Sequence, residues 1–331
     1  MTRPKRFYAL KKLLPSGDGP EGTRKSFNME LSSLLFSQKN AFKARQHLIQ
    51  ILATFEVGSP DMNNSTWYFL FDWADGNLSD FWKNNKSLVR DHRILPWMAA
   101  QFYGLCQALQ GVHNERLLTV KSFELEEGSG GETLYGRHGD ISPSNFLWFR
   151  SENENTPGTL TLADFGLGRL HRQVSRSAQD PNSIGRTATY RAPEFDLPGH
   201  ALISRKADIF SLGCVFLEHV TWFFFGYEEI ETRSSARVET DVHQFLADTF
   251  FSKAASTGNG NQFVIKQSVI DLVHELKARG DCCLYLQELL DVILTMMLTP
   301  DHTKRTDVSR LTKKMHTFLQ ACKTDVKYYA P

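Results

Sequence analysis

Cysteine is scarce in this chain: there are five, at positions 106, 214, 282, 283 and 322 of 331 residues. They form no spaced ligand pattern, which argues against a disulfide framework and fits a reducing, intracellular setting, cytoplasmic or nuclear. Adjacent Cys282 and Cys283 read as the start of a helix, not as a redox pair. Net charge is nearly absent too. With 38 Lys and Arg against 37 Asp and Glu, the formal charge is +1, so the balance makes no case for nucleic acid or an anionic membrane as partner. The opening Met-Thr-Arg-Pro-Lys-Arg is followed by no apolar run long enough for a signal peptide. One long apolar run exists, Ile209 to Tyr227. Glu218 and His219 interrupt it, and Trp222-Phe-Phe-Phe225 would make a poor membrane centre, so it reads as a buried helix and not a span. No internal repeat is visible. Hydrophobic residues at 41% and charged residues at 23% describe an ordinary soluble protein with enough chain for a sizeable core.

The order of elements changes character along the chain. Residues 6–13 read as a strand, and 15–25 as a Pro/Gly-rich loop. A helix follows with Phe27, Leu31, Leu34 and Leu35 on one face and Glu30 beside them. His47 to Glu56 and Thr66 to Trp73 read as two further strands. Beyond Asp75 the pattern is helical. Met98, Phe102, Leu105, Leu109 and Val112 make one stripe of a long helix. An acidic, glycine-rich loop at 126–132 comes next. Helices are expected at 206–226, about 239–251, 266–279, 284–298 and 306–321, with a flexible insertion from Ser252 to Asn261. This is an α+β layout of two lobes, 1–74 with a small sheet and helix and 75–331 mainly helical. The hinge falls near Phe71-Asp-Trp-Ala-Asp75, and ligands commonly sit in such a cleft.

The chemistry concentrates in His138-Gly-Asp-Ile-Ser-Pro-Ser-Asn145 and Asp164-Phe-Gly166. The runs Asn145-Phe-Leu-Trp-Phe149 and Thr159-Leu-Thr-Leu-Ala163 read as a hairpin turning at 151–158. That hairpin would bring Asp140, Asn145 and Asp164 to one edge. Three oxygen-donor side chains suit one base and one or two Mg²⁺ ions bearing phosphate oxygens. Asp and Asn in loops are more often turn formers, but the nested spacing and the Phe-Gly after Asp164 favour the metal-and-base reading.

These motifs resemble the protein-kinase catalytic loop and metal-binding triad. Tyr135-Gly-Arg-His-Gly-Asp140 and Asp208-Ile-Phe-Ser-Leu-Gly-Cys-Val-Phe-Leu-Glu218 look more particularly like filamentous-fungal protein-kinase-domain proteins. The resemblance implies a bilobal kinase-like fold, ATP and Mg²⁺ as cofactors, and a protein substrate. Lys11 in Ala9-Leu-Lys11 would hold the α/β-phosphates and pair with Glu30; Lys12 is the adjacent candidate, and strand alternation favours Lys11. Asp140 would be the base, with Asn145 and Asp164 as Mg²⁺ ligands. Phe71 would close the back of the adenine pocket, and backbone groups of Asp72, Trp73 and Ala74 would contact the base. Thr187 fits the threonine that bridges towards the catalytic aspartate. Ala192-Pro-Glu194 matches the end of an activation segment, its Glu paired with Arg305. Asp208 would bind catalytic-loop backbone, while His138 and Phe165 read as packing.

Three departures from the family pattern follow. No glycine-rich phosphate-covering loop precedes Lys11, so the sheet is expected to be incomplete with an exposed edge. Ser142 stands where the family usually has a lysine on the γ-phosphate; it can donate a hydrogen bond but carries no charge. Gly139 replaces the arginine that reads a phosphorylated activation loop, which argues against switching of that kind despite Ser175, Ser177 and Ser183. Phosphoryl transfer to protein Ser/Thr leads. A catalytically weak or inactive pseudokinase scaffold is the alternative. A small-molecule phosphotransferase of aminoglycoside or choline kinase type is a third, because His138-Gly-Asp140 with Asn145 also resembles that loop.

Overall fold

The structure is a computed structural model that describes residues 6–14, 19–40, 42–58, 65–113, 137–153, 156–164, 189–197, 203–241, 244–254 and 263–331. The first lobe is built on strands β1 (Tyr8–Lys12), β2 (Ile51–Val57) and β3 (Thr66–Asp72) and helix α1 (Gly19–Asn40). The sheet is antiparallel in the order β1-β3-β2, with Lys11 opposite Phe69. β1 alternates as a half-buried strand must: Ala9 and Lys11 turn inward, and Tyr8, Leu10 and Lys12 face out. Trp67 and Phe69 of β3 meet Phe27 of α1 at ring-centroid distances of 6.1 and 4.8 Å, and this aromatic contact fixes the helix against the sheet. Leu34 is buried, but Leu35 is exposed, so the apolar stripe of α1 is narrower than expected. The expected strand from His47 also starts late. Phe42–His47 form a 3₁₀ turn, and His47 is buried against the Leu160 carbonyl oxygen at 2.8 Å.

Residues 73–75 lead into β4 (Gly76–Asn77) and α2 (Leu78–Asn84). Asn77 and Asp80 cap α2 reciprocally, each accepting the other's backbone N–H. α3 (Leu95–His113) buries the expected stripe, Met98, Phe102, Leu105, Leu109 and Val112. β5 (Phe146–Phe149) and β6 (Thr159–Leu162) form the expected hairpin, with β4 on the outer side of β5. Gly158 is needed in its turn: φ is 109°, and a Cβ there would lie 2.2 Å from the Phe149 carbonyl oxygen.

The second lobe surrounds α4 (Lys206–Phe225). This helix is long and apolar enough to cross a membrane, but 94% of its apolar window is buried inside the molecule. Phe216 stacks on Phe102 of α3 with centroids 3.7 Å apart. Gly226, at φ 90°, ends α4 and opens α5 (Tyr227–Ala236), a helix not expected from the sequence. The helix expected over 239–251 is instead β7 (Glu239–Thr240) and β8 (Leu246–Ala247), and Phe251 begins β9 (Phe251–Lys253), which pairs with β10 (Phe263–Ile265). The reason is local. The Asp241 N–H donates to the Phe245 carbonyl oxygen, its own carbonyl oxygen accepts from the Gln244 N–H, and its side chain accepts the Phe245 N–H, closing a turn that a helix cannot contain. Helices α6 (Gln267–Ala278), α7 (Leu284–Val292, continuing as a π turn to Met297) and α8 (Val308–Thr324) follow close to their expected ranges, with α9 (Val326–Tyr329) last. Cys283 caps α7.

Candidate active site

A cleft of about 440 Å³ opens between the three-stranded sheet and the β5–β6 hairpin. Its apolar walls include Ala9, Leu34, Phe71, Leu147 and Ala163, and its polar lining includes Lys11, Glu30, Asp80, Asn145 and Asp164. Asp72, Trp73 and Ala74 border it. Residues separated by 153 positions converge here. Lys11 Nζ donates to Glu30 Oε1 at 2.7 Å and to Asp164 Oδ1 at 2.8 Å. Inward alternation of β1 aims the lysine, α1 carries the glutamate, and the chain leaving β6 delivers the aspartate. Asp164 takes φ 63°, a backbone state that a non-glycine residue holds only when its surroundings impose it. Burial pulls the Lys11 pKa down, but the Glu30 and Asp164 carboxylates outweigh it and hold it above the ordinary lysine value. The ammonium therefore stays charged throughout the physiological range.

The loop beneath is held from inside. Asp208 at the start of α4 accepts the backbone N–H of His138 and of Gly139, each at 2.9 Å, and the same carboxylate meets His113 Nε2 at 2.9 Å. Burial pushes the Asp208 pKa up, but the His113 contact and nearby positive charge bring it below the usual carboxylate value. Gly139 sits at φ 82°, a conformation that suits glycine at the position where the family has arginine. His138 is fully buried and its Nε2 donates to the Ala163 carbonyl oxygen at 2.9 Å. It ties the loop to the chain between β6 and Asp164, a contact that fits the expected packing role. Asn145 Nδ2 donates to the Asp140 carbonyl oxygen at 2.6 Å and to its Oδ2 at 3.0 Å, which fixes both side chains.

Ser142 is buried and shares a hydrogen bond with Ser144 Oγ at 2.8 Å; it is not among the cleft-lining residues. Thr187, Phe165 and the three loop serines 175, 177 and 183 lie outside the described residues, as do 126–132 and most of the expected insertion. Among the described residues no three His, Cys, Asp or Glu side chains cluster as a metal cage. Asn145 and Asp164 nevertheless fit Mg²⁺ by chemistry. Both offer hard oxygens, and Mg²⁺ takes few protein ligands because it keeps waters and phosphate oxygens.

The end of the activation-segment motif is wired into the second lobe. Glu194 receives both terminal nitrogens of Arg305, at 2.7 and 2.9 Å, in a wholly buried pair. Sequence reasoning found that pair. It missed three neighbours: Thr189 bonds Asp248, Tyr190 OH donates to Glu218 at 2.7 Å, and Arg191 bridges Asp196 and Asp241. It also missed Asp80 in the cleft, although the Asn77-Leu-Ser-Asp80 capping pattern would have placed that carboxylate at a helix start.

A family model, the protein kinase domain, matches residues 2–317. The chain belongs to the protein-kinase family. Serine/threonine-protein kinase ppk13 of Schizosaccharomyces pombe is 27% identical over 233 residues, 63% of this chain and 62% of that protein. Probable serine/threonine-protein kinase glkA of Dictyostelium discoideum is 27% identical over 175 residues, 53% of this chain and 29% of that protein. Probable cyclin-dependent kinase 8 of the same organism is 33% identical over 106 residues, 31% of this chain and 27% of that protein. The kinase chain thus spans less than two thirds of the length of each of these relatives.

Proposed function

We propose that this chain transfers the γ-phosphoryl group of ATP to serine or threonine hydroxyls of a protein. The observation that carries the reading is the bridge from Lys11 to both Glu30 and Asp164 in a cleft that also holds Asn145. Glu30 orients the Lys11 ammonium, which would then neutralise α/β-phosphate oxygens. Mg²⁺ bound by Asn145 and Asp164 would offset phosphate charge. Asp140, steadied by Asn145, would orient the acceptor hydroxyl and take its proton as the oxygen attacks phosphorus. The apolar walls suit an adenine ring, with backbone groups of Asp72 to Ala74 at its edge. The test is label transfer from Mg-ATP to generic protein acceptors beside an Asp164→Ala control. Strong labelling by the natural chain and none by the control is expected, and equal labelling by both would sink the reading.

A second reading, a catalytically weak or inactive kinase-like scaffold, draws on Ser142. Its hydroxyl is occupied by Ser144, and Lys11 is the one cation among the described cleft-lining residues. Thermal stabilisation by Mg-ATP without turnover would favour it. The small-molecule alternative would be restored by phosphorylation of choline or an aminoglycoside but of no protein; the buried Glu194–Arg305 pair speaks for the protein-kinase branch.

A further inference from the structure

The chain has six tryptophans, and they divide sharply by environment. Trp67, Trp82, Trp148 and Trp222 are buried and Trp97 is half-buried, while Trp73 is 60% exposed. Trp73 is also the one that borders the cleft. Its ring meets Phe7, itself 65% exposed, with centroids 6.5 Å apart and planes tilted by 55°. Leaving two large apolar rings mostly in water forgoes the stabilisation that burial would give them.

The pair is placed by the sheet. Tyr8 is opposite Asp72 in the β1–β3 register, so Phe7 and Trp73 are the next residues beyond the ladder on the two strands. Arg6 closes the same end by pairing with Asp72 at 3.3 Å and lying 5.7 Å from the Tyr8 ring centroid. Phe7 shares the parity of Ala9 and Lys11, the β1 residues that line the cleft. An exposed aromatic pair therefore stands at the mouth of a cavity whose apolar walls include Ala9, Phe71 and Leu147. Lys11, Glu30 and Asp164, bonded to one another, line the same cleft, as do Asp72 and Asp80.

Apolar walls, an aromatic rim and the Lys11 ammonium together match a ligand with a flat aromatic part and an anionic part. Building on the nucleotide-binding reading above, we propose that Phe7 and Trp73 form an aromatic lip that closes on the planar base of the bound nucleotide. Contact with the base, and not with the phosphates, is what shields Trp73 from solvent. Stacking of a base on an aromatic side chain is sequence-tolerant, since every base has a π-face. The lip accordingly favours a planar base over a ribose phosphate without one, and it adds little discrimination between adenine and guanine.

The test uses the whole chain and iodide quenching of tryptophan emission, with binding measured separately by calorimetry. At saturating Mg-ADP the iodide-accessible fraction should fall. Saturating Mg-tripolyphosphate, which has no base, should leave it unchanged. In the Trp73→Phe variant the ADP-dependent change should vanish while calorimetry still detects ADP. Phe7→Ser should weaken ADP by about three- to tenfold, the loss of part of one stacking contact, and leave tripolyphosphate affinity as it was. Calorimetric saturation by ADP with unchanged iodide access would overturn the lip alone. Equal protection by tripolyphosphate would also overturn it, by tracing the change to phosphate binding. Absence of any ADP binding would overturn the nucleotide reading and the lip together.

Discussion

Two ion-pair clusters of similar composition sit in the two halves of the molecule. In the cleft, Lys11 joins Glu30 and Asp164, and the lysine and aspartate side chains are each about one third exposed, at 33% and 32%. In the second lobe, Arg305 joins Glu194 with side chains 0% and 5% exposed. Arg305 also donates to the carbonyl oxygens of Thr299, Lys206 and Pro300, and it lies over the Phe210 ring at 5.1 Å. The same kind of charge pairing thus serves opposite ends. Open to water on the Lys11–Asp164 side, although Glu30 is buried, the first cluster can let Asp164 exchange its partner for water at little cost. Sealed and fully hydrogen-bonded, the second can exchange nothing, and losing one member strands a buried charge.

The largest effect should come from the sealed cluster. Arg305→Ala is expected to lower the unfolding free energy by about 3–5 kcal/mol, read as a shift in the urea midpoint at constant slope. A loss below about 1 kcal/mol would erase the distinction between the clusters.

Acid should come next, through His219. This ring is buried among Phe81, Trp82, Trp97, Phe102 and Trp222, accepts from Trp82 Nε1 at 3.1 Å, and has a pKa lowered to about 3 by burial. The folded-state value is depressed, so this contribution is complete above the ordinary histidine pKa and declines as the pH falls towards the folded value. Stability should drop by up to about 1.4 kcal/mol per pH unit of acidification below about pH 6.5. Buried His47, also lowered by burial, adds in the same direction. Denaturant midpoints measured from pH 7 to pH 5 check this, and His219→Gln should flatten the slope.

Lys11→Met should cost up to about 2 kcal/mol of stability, because water in the cleft takes over the pairing of Asp164 but leaves buried Glu30 without its partner, and it should abolish tight Mg-ATP binding by calorimetry. Smallest of all is Arg6→Ala. The Arg6–Asp72 pair is exposed on both sides, and its loss should move the thermal midpoint by no more than about 0.5 kcal/mol allows. A Lys11→Met loss as large as that of Arg305→Ala would show that the cleft cluster is structural after all.

Much of this is legible in the sequence. Asp140, Asn145 and Asp164 carry their meaning in spacing, and Lys11 in the alternation of β1. Met98 to Val112 repeat with the period of a buried helix face. Arg305 was found as the partner of Glu194 across 111 positions only because both lie in recognisable motifs. Where no motif spoke, the reading failed for physical reasons. Residues 239–251 contain apolar side chains at helix-compatible spacing, but the Asp241 turn competes for the same backbone groups. Leu35 has the composition of a core residue, and only the width of the contact under α1 leaves it in water. Thr189, Tyr190 and Arg191 are unremarkable as sequence; their partners Asp248, Glu218 and Asp241 come from other elements.

By itself, the sequence determined the kinase family and the identity of the groups that gather at the cleft, because local spacing, strand alternation and helical period act over a few residues and survive without context. The tertiary structure alone decided which charges are open and which are sealed. It also decided that Ser142 turns to Ser144, and that Phe7 and Trp73 meet at the cleft mouth. Those outcomes depend on water being excluded or admitted by residues far apart in the chain, and exclusion of water is a property of packing in three dimensions.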